Sequence, residues 1–140
     1  MGAIVDTGVF IVHERRGYRA QELQTALTGY DPENRFALSS VTLAELAAGI
    51  YRAKTVEQHS LRYTFVEEVS IQFPVASFTQ HTAWIAGRLR GEQSKIGNTL
   101  PMADSLIAAT AIEYDYAVIT LNVQDFIRIP GLRVIPFILP

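Results

Sequence analysis

The chain has 140 residues, a net charge of −2, and 49% hydrophobic against 19% charged residues; this fits a single domain over 1–140 and excludes a disordered chain. It has no cysteine, so disulfides and thiolate sites are excluded and a reducing, cytoplasmic setting is expected. The slightly acidic total is not the footprint of a protein that coats nucleic acid nonspecifically, and Asp6 cuts the first apolar run with no basic stretch ahead of it, so neither a signal peptide nor a membrane span is expected.

Short apolar strands alternate with helical segments. Ala3 to Val5 predicts a first strand, followed by helices over Thr7 to Glu14 and Tyr18 to Thr28. Gly29 to Asn34 is a loop by its Gly, Asp-Pro and Asn content. Phe36 to Ser39 predicts a second strand, and Ser39 or Ser40 can cap a helix from Val41 to about Ala53. Leu61, Phe65, Val69 and Phe73 recur every fourth residue and predict one face of a long helix over Val56 to Phe73, stopped by Pro74. Val75 to Phe78 predicts a third strand. Thr79 suits the N-cap of a helix carrying Ala83, Trp84, Ala86, Gly87 and Leu89, which loosens from Gly91 onward. Pro101 fits the first position of a nearly all-apolar helix over Met102 to Tyr114. Ala117 to Thr120 predicts a fourth strand, Asn122 to Ile127 a turn or short helix, and Arg133 to Phe137 a fifth strand after the Pro130-Gly131 turn. Such βα alternation implies a mostly parallel sheet with helices on both faces.

Four acids stand out by their surroundings: Asp6, Glu45, Asp104 and Asp125. Asp6 follows the first strand, where it serves either as an N-cap or as a ligand. Glu45 lies among Leu43, Ala44, Leu46, Ala47 and Ala48, a costly place for a charge unless it faces a cleft or a partner. Asp104 is in the first turn of the apolar helix, where the dipole favours an anion in any case. Asp125 follows the fourth strand and is either a solvated turn residue or part of the group. Together they fall on the edge of an α/β sheet where ligands bind. Carboxylates crowded there raise one another's pKa, and a divalent cation such as Mg²⁺ or Mn²⁺ removes that penalty. They are expected to converge on one cavity, with Asn122 and Asp125 at its rim.

Other features offer less. His13, His59 and His81 have no ligand spacing and are expected at the surface. Arg15, Arg16 and Arg19, then Arg52 and Lys54, then Arg88, Arg90 and Lys95 suit solvated helix faces or phosphate contacts. Val12, Leu23, Leu27 and Ile50 lie on short helices with little polar cover. They predict an exposed apolar face suited to a partner, with core packing as the alternative.

Four stretches resemble the PIN domain, and most closely the VapC-type toxin ribonuclease of bacterial type II toxin–antitoxin pairs. They are Ile4-Val5-Asp6-Thr7, Ser40 to Gly49, Pro101 to Ala111, and Val118 to Phe126, in family order. The resemblance implies a PIN-like three-layer α/β/α fold with a mostly parallel sheet of about five strands. It also implies Mg²⁺- or Mn²⁺-dependent cleavage of RNA phosphodiesters, a cognate antitoxin, and a homodimer. Its first three acids map onto Asp6, Glu45 and Asp104. Many relatives carry Asp two residues after the strand-ending Thr; here that position is Asn122, and Asp125 is the next carboxylate. Asn122 or Asp125 would complete the site or position the attacking water, and the number of metal ions stays open between one and two. Thr7 and Thr120 are either ordinary caps or hydrogen-bond partners of the carboxylates. A haloacid-dehalogenase-type phosphatase would need an acid where Gly8 stands. The alternative from another class is a non-catalytic PIN-fold domain that binds RNA or protein, and Asn122 is what favours it.

Overall fold

In the computed structural model, which describes residues 1–140, strands and helices alternate from end to end. In chain order they are β1 (Ala3–Val5), α1 (Thr7–Arg15), α2 (Ala20–Leu27), β2 (Phe36–Ser39), α3 (Ser40–Tyr51), α4 (Val56–Gln72), β3 (Val75–Ala76), α5 (Gln80–Lys95), α6 (Met102–Tyr114), β4 (Ala117–Thr120), α7 (Val123–Phe126) and β5 (Val134–Pro136). The strands pair in parallel in the order β3-β2-β1-β4-β5. β1 lies between β2 and β4, so the direction of chain winding reverses beside it. Ligands bind at such a switch point, beyond the carboxyl ends of the strands.

Strand alternation sorts the core into two layers. Ala3, Val5, Leu38, Ala117 and Ile119 pack on the side of α1 to α4, where Phe10, Leu23, Phe65 and Val69 meet them. Ile4, Ala37 and Val118 face the other way, onto α5 and α6. α6 lies between the sheet and α5, so Ile107, Ala108, Ala109 and Ala111 are all buried. This explains why its sequence shows no polar face. No helix is long and apolar enough to cross a membrane.

Several local expectations are corrected by tertiary packing. α5 does not loosen at Gly91 but runs to Lys95. Its last turn is held from outside: Gln93 is buried and donates to the Arg128 carbonyl (3.2 Å), and Arg90 Nε donates to the Leu100 carbonyl (3.1 Å). Pro101 is the N-cap of α6 rather than its first residue. β3 shrinks to Val75–Ala76 because, as an edge strand, it has only β2 to pair with. On α4 the buried stripe is Phe65, Val66 and Val69, while Leu61 is 69% exposed. The helix outruns the core there, so most side chains of its first turns are exposed.

Two expectations of exposure fail. Leu23, Leu27 and Ile50 belong to the larger core layer and are not a docking face, and Val12 is half-buried. His13 is buried rather than at the surface, because the chain end closes over α1. Its ring sits between those of Tyr18 and Phe137 (5.7 and 5.6 Å), and its Nδ1 lies 2.8 Å from the Val9 carbonyl. His59 and His81 are exposed, as expected. Leu23→Ala should therefore lower unfolding free energy by about 3 kcal/mol, as for a buried leucine. Leu61→Ala should change it by less than ~0.5 kcal/mol. Urea denaturation of the two variants separates these outcomes.

Candidate active site

Each candidate residue reaches the same edge of the sheet by a local device. Asp6 is the residue after β1 and the N-cap of α1; its Oδ1 accepts the Thr7 N–H at 2.9 Å. Its other oxygen, Oδ2, accepts the Thr120 hydroxyl at the end of β4 (2.8 Å). The cap and cluster roles are thus compatible, since each carboxylate oxygen keeps a free lone pair. Glu45 stands in the second turn of α3, and its Oε1 accepts the Thr7 hydroxyl at 2.6 Å. Thr7 has one hydroxyl proton, so the 2.9 Å contact between Thr7 and Thr42 hydroxyls is donated by Thr42. Thr42 is fully buried and was not among the candidates. Its spacing of three residues from Glu45 on α3 is the signal that would have found it.

Asp104 arrives in the first turn of α6, half-buried. Burial pushes its carboxyl up to about 6, and repulsion from Asp6, Asp125 and Glu45 adds to the rise. Asp6 is also raised, chiefly by burial; its bonds from Thr120 and Thr7 oppose the rise, while Glu45 and Asp125 reinforce it. Asp6 and Asp104 therefore each lie within electrostatic reach of Glu45 and Asp125, and none of the four is in an ion pair with Lys or Arg.

Asn122 and Asp125 take the expected short-helix geometry. Asn122 is the N-cap of α7, with Asp125 three residues on, and the Asp125 N–H donates to the Asn122 carbonyl (3.0 Å). The Asn122 side chain makes no capping bond, although Asn is a favoured cap. Its own N–H instead donates to the Thr120 hydroxyl (2.9 Å), the group that holds Asp6. Asn122 and Asp125 are both exposed.

Glu45 lines a groove of about 320 Å³ between α1, α3 and α4, whereas Asp125 lines a separate pocket of about 160 Å³ beside Asn98 and Pro101. No three carboxylates close into a ready-made cage as the side chains stand. Threonine hydroxyls and a backbone N–H hold Asp6 and Glu45 instead, and the acids form an open ledge between two concavities.

A family model for the PIN domain matches residues 3–132. The chain belongs to the PIN-domain family. Ribonuclease VapC of Rickettsia bellii is 36% identical over 96% of each chain. The tRNA(fMet)-specific endonuclease VapC of Salmonella typhimurium is 30% identical over 72% of this chain and 74% of its own. Among solved structures, VapBC2 of Rickettsia felis bound to a DNA fragment from the promoter superposes with a TM-score of 0.79 at 25% identity, covering 99% of this chain and 100% of that one. VapBC of Salmonella typhimurium bound to DNA shares the fold with a TM-score of 0.82 at 24% identity, covering 99% of each chain. The PIN fold accounts for the parallel sheet and for helices on both of its faces.

The raised acids make the metal-free protein pH-sensitive. An acid whose folded pKa exceeds its unfolded value binds more protons when folded, so its ionisation opposes folding above that range. In EDTA, stability should rise as pH falls from above 6 towards the unfolded value near 3.8, the interval set by Asp104. Asp104→Asn should flatten this slope and stabilise the metal-free protein near neutrality by about 1–2 kcal/mol, allowing for partial exposure. Thermal melts across that pH range would show a steeper or unchanged slope if Asp104 does not bear the repulsion.

Proposed function

We propose that this PIN domain, acting over residues 1–140, is a metal-dependent endoribonuclease and the toxin of a toxin–antitoxin pair. The observation that carries the reading is the ledge of mutually repelling carboxylates without a cation, on the binding edge of a fold whose relatives are named as VapC ribonucleases. The donors fit Mg²⁺ or Mn²⁺: they are oxygens, with no cysteine or histidine at the ledge, and they lack a positive partner.

Asp6, Glu45 and Asp104 would hold the ion, and Asp125 would add charge from the rim. A bound divalent ion would neutralise nonbridging phosphate oxygens and lower the pKa of a water to yield the nucleophile. Thr7 and Thr120 keep the carboxylates turned to the ledge by donating to Glu45 and Asp6. Thr42 fixes Thr7 in turn by donating to its hydroxyl, which commits the Thr7 proton to Glu45. Asn122 has a side chain free of capping duty and offers a carbonyl oxygen and an amide donor to a water or a phosphate.

The same reading extends to partners. Several solved relatives are VapBC assemblies, and one is a toxin–antitoxin complex from Klebsiella pneumoniae at 27% identity. By that likeness this chain would bind a cognate antitoxin and form a homodimer. The α2 face expected from sequence is not available for an interface, but one exposed apolar region lies around α5. Trp84 there is 74% exposed, beside an open concavity of about 670 Å³ lined by Ala83, Gly87 and Arg88. Trp84→Glu should then shift the chain towards monomer in light scattering, without loss of fold by circular dichroism. A variant that keeps the parent's mass would place the dimer contact elsewhere.

Activity tests the metal-site roles. Purified protein should cleave unstructured RNA in Mg²⁺ and not in EDTA. Asp6→Asn and Asp104→Asn should abolish cleavage while retaining the fold. Thr7→Val should lower metal affinity or activity by roughly 10–100-fold, as for groups that orient metal ligands. Asp125→Ala should cost less than Asp104→Ala, and Asn122→Asp should tighten metal binding in calorimetry. Parent-rate cleavage by Asp104→Asn would overturn the assignment. Absence of any metal-dependent cleavage by the parent would favour a non-catalytic binding domain.

A further inference from the structure

The groove that opens from Glu45 has features that its place in the fold does not require. Glu45, Gly49 and Arg52 fall four and three residues apart along α3, so they share one face of the helix. The run from Glu45 to Arg52 spans about 10 Å at the helical rise. Arg15, from the end of α1, and Lys54, just after α3, line the same groove. None of Arg15, Arg52 and Lys54 has an acidic partner. The other basic side chains are largely engaged elsewhere: Arg19 pairs with Glu68, Arg88 lies beside Glu92, and Arg90 donates to the Leu100 carbonyl. Arg62 also lines the groove but is spent structurally. It donates to Glu14 (2.9 Å) and to the Gly49 carbonyl (2.7 Å), and so cancels the charge of Glu14. In a chain of net charge −2, this groove is a local excess of cations.

Gly49, one of eight glycines at which a Cβ would meet nothing within 4 Å, also lines the groove. A glycine inside a helix costs up to about 1 kcal/mol relative to alanine. A Cβ built at Gly49 meets nothing within 4 Å, so neither packing nor backbone conformation requires glycine there. It lines the groove together with the apolar Leu46, Phe65 and Val66.

We propose that the groove between α1, α3 and α4 seats the RNA strand beside the cut, with Arg15, Arg52 and Lys54 holding its phosphates and Gly49 keeping the floor clear. This rests on the endoribonuclease reading above. A polyanion approaching the acidic ledge is repelled by it, and adjacent cations are what bring the strand in. An apolar floor with a basic rim matches base faces and phosphates of a single strand. Continuity with Glu45 selects RNA over a peptide as the occupant, since the strand must reach the acids to be cut.

The test is fluorescence anisotropy with a fluorescein-labelled, unstructured single-stranded RNA in EDTA, which needs no activity. Arg52→Ala and Lys54→Ala should each weaken binding by about 3- to 10-fold and reduce the slope of log affinity against log salt by about one. Gly49→Met should weaken it at least as much while the melting temperature holds, because the site is open and helical. Arg35→Ala, just before β2 at the opposite end of the strands, should change nothing. In Mg²⁺ the two basic variants should raise KM with kcat little changed. Unchanged RNA affinity and salt slope in these variants overturns the proposal, including the case in which they lose only the co-encoded antitoxin and the groove belongs to a peptide. Failure of the parent to cleave in Mg²⁺ counts against the endoribonuclease reading alone; the anisotropy still decides the groove.

Discussion

Mutual repulsion among Asp6, Glu45, Asp104 and Asp125 is the constraint around which the rest is arranged. Burial at the top of a parallel sheet makes ionised Asp6 and Asp104 costly, and the neighbouring Glu45 and Asp125 add to that cost. The fold offsets this without spending a cation. The Thr7 N–H and the Thr120 hydroxyl hold Asp6, and the Thr7 hydroxyl holds Glu45. Asp104 has no such donor to lower its pKa, and it is the one pushed up to about 6. The ledge is thus stable enough to fold, yet keeps an unmet demand for positive charge.

Topology explains how residues so far apart in sequence meet. Asp6 and Thr120 follow or end the neighbouring strands β1 and β4, so one hydrogen bond links positions 114 residues apart. Ser39 ends β2 and caps α3, which fixes where the helix starts and therefore which turn carries Thr42 and Glu45. α6 enters between the sheet and α5 and delivers Asp104 from its first turn. The ledge thus owes its shape to strand ends and helix starts rather than to long loops.

Charge is divided across the surface in keeping with an anionic substrate. The acids occupy the sheet edge, and the unpaired cations line the groove that leads to it. Around α5, by contrast, Trp84 and its neighbours leave an apolar surface away from the ledge. The two regions are separate, so an assembly built on α5 would leave the groove open to a strand.

The sequence by itself determined the order and type of the elements. Strand alternation at Ala3-Ile4-Val5 and Ala117-Val118-Ile119, the caps at Ser39 and Thr79, and the apolar run of α6 are local signals that packing did not overrule. It also singled out the acids, because a carboxylate inside an apolar run is costly wherever it ends up. Tertiary structure alone decided what nonlocal contacts control. His13 is buried because Phe137, far along the chain, closes over it. Leu23, Leu27 and Ile50 are core because α2 and α3 lie under α4 and the sheet, whereas Leu61 is exposed because α4 outruns that core. Likewise no local pattern revealed that the acids form a ledge between two concavities; spacing on α3 places Thr42 beside Glu45, but only the fold brings its hydroxyl to Thr7. Those depend on how separate helices converge, and hydroxyl partners and cavity walls are set by distances between segments rather than by spacing within one.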